Sequence, residues 1–159
     1  MGKVSDYLKT EFLYLDPDEV LRQNPNVLLG VSHETATLLK KLNINSVFDL
    51  ALSNIFDNAE KLLKSSENPH DVLRRFGSAP SDIIDVKSGT ISLPNLPSKS
   101  ISILKGIGEN LAKEIEDIMD IKTLRDFALW PPYHSAKNLL RRYMFLMSFI
   151  HTIQNHHPN

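Results

Sequence analysis

An internal repeat constrains this 159-residue chain more than any other feature. Leu28-Leu29-Gly30-Val31-Ser32 aligns with Leu104-Lys105-Gly106-Ile107-Gly108, and the same register lays Ala36 on Ala112, Leu39 on Ile115 and Leu42 on Ile118, always 76 residues on, as from 28 to 104. One residue is then added in the second copy. After it Ile44 falls on Ile121, Ser46 on Thr123, Asp49 on Asp126 and Ala51-Leu52 on Ala128-Leu129. The match runs on through Phe56 over Tyr133, Ala59 over Ala136 and Leu62-Leu63 over Leu139-Leu140. Spacing inside each copy is helical. Leu38, Leu39 and Leu42 in the first, and Leu111, Ile115 and Ile118 in the second, recur at three and four residues and make one apolar face, with Lys40, Lys41, Glu114 and Asp117 on the wet side.

Ser46 with Asp49, and Thr123 with Asp126, fit the pattern in which a hydroxyl and a carboxylate three residues on satisfy the free N–H groups of a helix start. A short second helix is predicted there in both copies. Trp130-Pro131-Pro132 interrupts it, because proline lacks an N–H and the residue before it avoids helical geometry, and a third helix is expected from near Tyr133. The matching break in the first copy is Ser53-Asn54, where a side chain can cap a helix over 55–64. Over 135–153 the apolar residues Leu139, Leu140, Tyr143, Met144, Leu146, Met147, Phe149, Ile150 and Ile153 go nearly all the way round, so that helix must be enclosed by this chain or by another.

The connector between the copies holds Gly77, Pro80, Gly89, Pro94 and Pro97 among polar residues. Within it, Ile83-Ile84-Asp85-Val86 and Thr90-Ile91-Ser92-Leu93 flank Lys87-Ser88-Gly89 in the pattern of a small β-hairpin, and 71–76 has the composition of a helical turn or two. The chain thus divides into an N-terminal helical segment (1–28), a first repeat (29–64), a connector (65–104), a second repeat with the long C-terminal helix (105–153) and a frayed tail (154–159). The expected fold is all-α. Its two repeats pack by pseudo-twofold symmetry around Ala36, Leu39, Ala112 and Ile115, and 139–153 closes the core.

Composition narrows the function classes. With 42% hydrophobic and 23% charged residues the chain can bury a core, and with no Cys it has no disulfide, thiol nucleophile or cysteine-ligated zinc. Eighteen basic against 19 acidic residues give a net charge of −1, so no global positive field draws in nucleic acid or anionic lipid. Lys3, Asp6, Lys9 and Glu11 interrupt any signal-peptide-like stretch, and Asp6 stands where a myristoylation motif wants Ser or Thr. The most apolar window, 143–150, is far short of the roughly 20 residues a membrane span needs. A cytoplasmic protein with no membrane association is the expectation.

Leu104-Lys105-Gly106-Ile107-Gly108, followed by Leu111-Ala112, Ile115, Ile121-Lys122-Thr123 and Asp126-Phe127-Ala128, resembles a helix-hairpin-helix element. The variant is the one in which a glycine hairpin opens a helix that ends in an Ile-x-Thr, x-x-Asp-Leu-Ala step. Such elements occur in tandem in DNA-repair proteins, and a similar one in the C-terminal domain of the bacterial RNA polymerase alpha subunit. The first copy, with Gly30-Val31-Ser32, Ala36, Leu39, Ile44-Asn45-Ser46 and Asp49-Leu50-Ala51, resembles it with Ser32 in place of the second hairpin glycine. Together the copies cover a little under half the chain. The resemblance implies a tandem hairpin fold and either of two uses, phosphate binding on DNA or docking of another protein.

Phosphate binding has a mechanical basis: glycine lets the backbone come close, and the first N–H groups of the next helix point outward at its positive dipole end. The candidate contacts are Lys105, Gly106, Ile107, Gly108 and Lys113, and in the first copy Gly30 and Ser32. Equally, the glycines serve only the tight turn. Glu109 comes directly after the hairpin, 105–142 holds seven bases against six acids, and 29–64 holds four of each, so any DNA binding is expected to be weak and salt-sensitive.

Other constellations read as structure. Glu114, Glu116, Asp117 and Asp120 form a solvated face rather than a magnesium site, and His151, His156 and His157 lack metal-ligand spacing. Phe127, Trp130 and Tyr133 pack at the proline break rather than stack on bases. Arg74-Arg75 and Arg141-Arg142 lie half over apolar surface and half in water. No phosphate loop, nucleophile elbow or acid/base pair is present, and neither a cofactor nor a metal is expected. The leading expectation is a non-enzymatic docking module that offers Tyr143, Leu146, Met147 and Ile150 to a protein partner, with self-association through the same helix as one form of it. The alternative is a sequence-independent DNA-binding accessory protein.

Overall fold

A computed structural model describes residues 3–67, 83–84 and 93–155. The helices are α1 (Pro17–Arg22), α2 (His33–Lys40), α3 (Val47–Ala51), α4 (Asn54–Glu67), α5 (Glu109–Met119), α6 (Leu124–Ala128) and α7 (Pro131–Asn155). Pairing of extended backbone among the described residues is confined to isolated bridges. The all-α expectation holds. Most of the proposed connector hairpin (85–92) and the turn at 71–76 lie outside the described residues, as do Arg74, Arg75, His156 and His157.

Two compact units divide the chain, one of Met1–Leu52 with Pro131–Asn159 and one of Ser53–Trp130. The boundaries fall inside the segments 29–64 and 105–153. As a result the third helix of each sequence copy belongs to the unit built mainly from the other copy. Helix α7 closes the first unit by packing on α1 and α3, and α4 closes the second by packing on α6 and on the 3-10 segment Leu93–Ser98.

In the first unit Leu8 bridges Leu28, through Lys9 N–H to the Val27 carbonyl and Leu29 N–H to the Tyr7 carbonyl, both 2.9 Å. Asn24 caps the 3-10 turn Pro25–Val27, accepting from Asn26 N–H at 2.9 Å. A hairpin comes next, closed by Val31 N–H on the Leu28 carbonyl at 3.2 Å, with Gly30 at φ +85°. Asn43 at φ +62° ends the α2 turn, while Ile44 N–H reaches back to the Leu39 carbonyl. Leu28, Leu39, Ile44 and Leu50 are fully buried here, as are Tyr133 and Ala136 of α7. Each large side chain among them contributes about 1.5–3 kcal/mol relative to exposure.

The second unit uses the same local devices. Ile84 bridges Leu104, with Lys105 N–H on the Ile83 carbonyl at 3.1 Å. Ser100 caps the 3-10 turn Ile101–Ile103, and Ile107 N–H closes the hairpin on the Leu104 carbonyl at 3.1 Å with Gly106 at φ +94°. Asp120 at φ +56° ends α5. The predicted capping pairs form in both units. Ser46 Oγ accepts from Asp49 N–H at 3.0 Å while the Asp49 carboxylate accepts from Asn45 N–H, and Thr123 Oγ1 accepts from Asp126 N–H at 3.2 Å while the Asp126 carboxylate accepts from Thr123 N–H.

Helix boundaries differ from expectation at α4, which spans Asn54–Glu67 rather than 55–64, and at both ends of α7. The third helix starts at Pro131, two residues before Tyr133, because the first turn of a helix needs no intrahelical N–H donors and tolerates both prolines. It also runs to Asn155, so Gln154 and Asn155 are helical rather than frayed, and the rest of the tail lies outside the described residues. Trp130, Tyr133 and Phe127 are core, at 8%, 1% and 0% exposure. Phe56 stacks on Phe127 with centroids 4.0 Å apart and rings 4° from parallel, and on Trp130 at 5.5 Å, inside the second unit.

Candidate functional site

Two features carry the candidate residues, the glycine hairpins and α7. At the second hairpin Lys105, Gly106 and Gly108 are exposed, and Lys113 is exposed one turn into α5. Ile107 is buried at 1% and its N–H is already spent on the turn, so it takes part only as a core anchor. Only Gly106 needs to be glycine for its backbone. Gly108 has φ −77°, open space around its Cα, and sits as N-cap of α5 with no side-chain cap.

The first hairpin has the same backbone with different chemistry. Ser32 at φ −74° occupies the N-cap of α2, so serine in place of glycine costs no backbone strain. Its Oγ accepts from Thr35 N–H at 3.0 Å and so fills part of the donor set that a phosphate would use. The Lys9 ammonium donates to the Val31 carbonyl at 2.8 Å, which directs that cation onto the hairpin backbone. A Cβ at Gly30 would stand 3.5 Å from Pro132 of α7, an ordinary van der Waals contact, so it is the φ of +85° that calls for glycine there. The uncapped N-terminus of α5 is therefore the better anion site of the two, although Glu109 in its first turn opposes an anion.

Helix α7 shows a different kind of site. Pro132, Ala136, Leu139, Tyr143, Leu146, Ile150 and Ile153 recur at alternating steps of four and three residues. That is the apolar seam of a coiled coil. Its first part is buried, with Ala136 at 0% and Leu139 at 5%, and Tyr143 is half-buried. Beyond Tyr143 the seam is uncovered: Leu146 is 38% exposed, Ile150 44% and Ile153 53%, flanked by Met147 and Phe149. The sequence predicts one core-closing stripe from Leu139 to Ile153, and only the first third of it closes the core. The four-three alternation is the signal that separates the seam from the rest, and it is easily missed because an all-round apolar helix hides its own seam.

The length of α7 explains the division. Helix α4 closes the second unit with 14 residues, whereas α7 has 25. Counted from the two helix starts, the described part of α4 matches α7 as far as Met144, and from there on α7 contributes no buried residue among those described. This extension, 145–155, contains no Asp, Glu, Lys or Arg. At its root a groove of about 460 Å³ opens between α1, α3 and α7, lined by Asp18, Leu21, Arg22, Ser46, Phe48 and Tyr143. Phe48 is 44% exposed in it, and Arg22 pairs with Asp18 at 3.1 Å.

The remaining sequence candidates stay scattered. Among the described residues no group of three or more His, Asp or Glu is placed to hold a metal ion, and no helix is long and apolar enough to cross a membrane. Glu116, Asp117 and Asp120 are exposed along and just past α5. The Lys137 ammonium stands 5.0 Å over the Tyr133 ring. No protein-family model, curated protein or solved structure matches this chain.

Proposed function

We propose that this chain is a non-enzymatic helical interaction module, two helix-hairpin-helix-like repeats that present the extended end of α7 to another protein. The observation that carries the reading is the uncovered apolar extension. Large apolar side chains at 38–68% exposure line a helix segment that the fold does not use for its own core. Patches of this kind on a folded protein mark association sites more often than they mark nothing. The repeat reading is supported by the devices shared between units: the bridges Leu8 to Leu28 and Ile84 to Leu104 fall at the same offset, as do Val47 N–H on the Gln23 carbonyl and Leu124 N–H on the Lys99 carbonyl, one residue aside.

The test is capture of partners from native extract on the whole immobilised chain, run beside Leu146→Glu and Ile150→Glu. Both positions are exposed, so the variants should fold as the parent does. A stoichiometric protein retained by the parent and lost by the variants is the expected result. Recovery of nucleic acid with no stoichiometric protein would overturn the reading.

One observation favours a second reading, sequence-independent DNA binding at the second hairpin. The α5 N-terminus has no side-chain cap, with exposed Lys105 and Lys113 beside it. Fluorescence anisotropy with labelled duplex and single-stranded DNA at low and physiological salt tests it. Binding that weakens with salt and is lost in Gly108→Asp supports DNA contact; absence of binding at low salt removes it.

A further inference from the structure

Resting on the interaction-module reading, we infer that the partner of the α7 extension is a second copy of this chain, paired antiparallel along the seam Tyr143, Leu146, Ile150 and Ile153. Charge is the first ground. In a coiled coil the residues beside the seam select the partner, usually through opposite charges. Here Met147, Phe149 and Gln154 carry none, the whole of 143–155 lacks Asp, Glu, Lys and Arg, and charge stands beside the seam at Arg142, next to Tyr143 at its near end. Such a face gives a charged foreign helix nothing to recognise and gives a second copy nothing to repel. A twofold interface needs a patch complementary to itself, which a neutral apolar seam supplies.

The ends of the helix choose the direction. Arg141 is exposed and Arg142 half-buried at the near end of the seam, and Asn155 is the last described residue of the far end. Parallel pairing sets the arginines of both copies side by side. Antiparallel pairing sets them at opposite ends of the seam, away from each other and beside 151–155 of the other copy, which holds no Lys or Arg. The spacing also fits. With Ser148 at the centre, Leu146 of one copy meets Ile150 of the other and Tyr143 meets Ile153, giving four apolar layers.

Area is the second ground. On and beside the seam, Leu146, Met147, Phe149, Ile150 and Ile153 expose 38–57% of their surface. Taking roughly 200 Å² for a whole large apolar side chain, they offer on the order of 500 Å² per copy. Two copies together bury about 1,000 Å², the area from which a specific protein interface begins.

Sedimentation equilibrium of the whole chain from about 1 to about 100 µM should show the mass rising from 18.0 kDa toward twice that value. Leu146→Glu should weaken the dimer at least about tenfold while leaving the circular dichroism unchanged. Direction is read by thiols, since the chain has no cysteine of its own. Leu146→Cys mixed with Ile150→Cys should oxidise mainly to the mixed disulfide; faster linking of Leu146→Cys to itself would overturn the antiparallel arrangement. A mass of 18.0 kDa at every concentration, or a dimer indifferent to Leu146→Glu, overturns the second copy as occupant. A monomer that captures a different protein through Leu146 fails this inference and keeps the module reading; a monomer in which Leu146→Glu changes no interaction fails both.

Discussion

Gly106 and Gly108 stand two residues apart in one hairpin, and the structure gives them opposite roles. Gly106 holds φ +94° with the Ile55 side chain 3.5 Å from where a Cβ would stand, whereas Gly108 has ordinary backbone and open space. Gly106→Ala should therefore destabilise the protein by about 1–2 kcal/mol, the strain of a left-handed L-residue, while Gly108→Ser should stabilise it by a few tenths (~0.3 kcal/mol) by supplying the missing cap of α5. Urea unfolding of both variants checks the pair; equal effects would mean that the second glycine is needed for shape. Thr123 Oγ1 already supplies such a cap to α6, so Thr123→Ala should cost about 1 kcal/mol in the same experiment.

At the scale of elements, α4 and α7 share the task of closing a unit and differ in how far they run beyond it. Phe56 of α4 is fully buried and stacked on Phe127, so Phe56→Ala should cost about 3–5 kcal/mol, seen as a large fall in the urea midpoint. Phe145, at 68% exposure, should tolerate Ser within about 0.5 kcal/mol in a monomeric sample. Much of this was legible in the chain. Ser46 with Asp49 and Thr123 with Asp126 announce their caps because a local hydrogen-bond pattern is written in adjacent residues. The upstream bridges were not legible: Tyr7-Leu8 and Ile83-Ile84 share geometry through backbone bonds, which leave little mark on side-chain choice. Nor was the end of core-facing α7, since Leu139 and Leu146 look alike in sequence and only the extent of α1 and α3 separates covered from uncovered.

For the whole molecule, the assignment of α4 and α7 to opposite units has a consequence for connectivity. The first unit contains residues from both sides of 68–82, and so does the second, so the covalent link there is not what holds either unit together. An engineered protease site between Glu67 and Ile83, once cut, should leave two fragments that co-elute in gel filtration and keep the helical circular dichroism of the intact chain. Separation of the fragments under native conditions would show that the units do not depend on exchanged helices. The matching test of burial is Ala36→Asp in the first unit and Ala112→Asp in the second. Each places an unpaired charge at a site 2% and 7% exposed and should unfold its unit.

The exchange also orders events during synthesis. A ribosome releases α1, α2 and α3 first, yet Tyr133, Ala136 and Leu139, which complete their core, emerge about eighty residues later, some seconds at ordinary elongation rates. The second unit, begun later, is complete as soon as Trp130 clears the exit tunnel. Of the two units, the one begun first is thus the last to finish folding, and its half-built core is the stretch that a chaperone would meet.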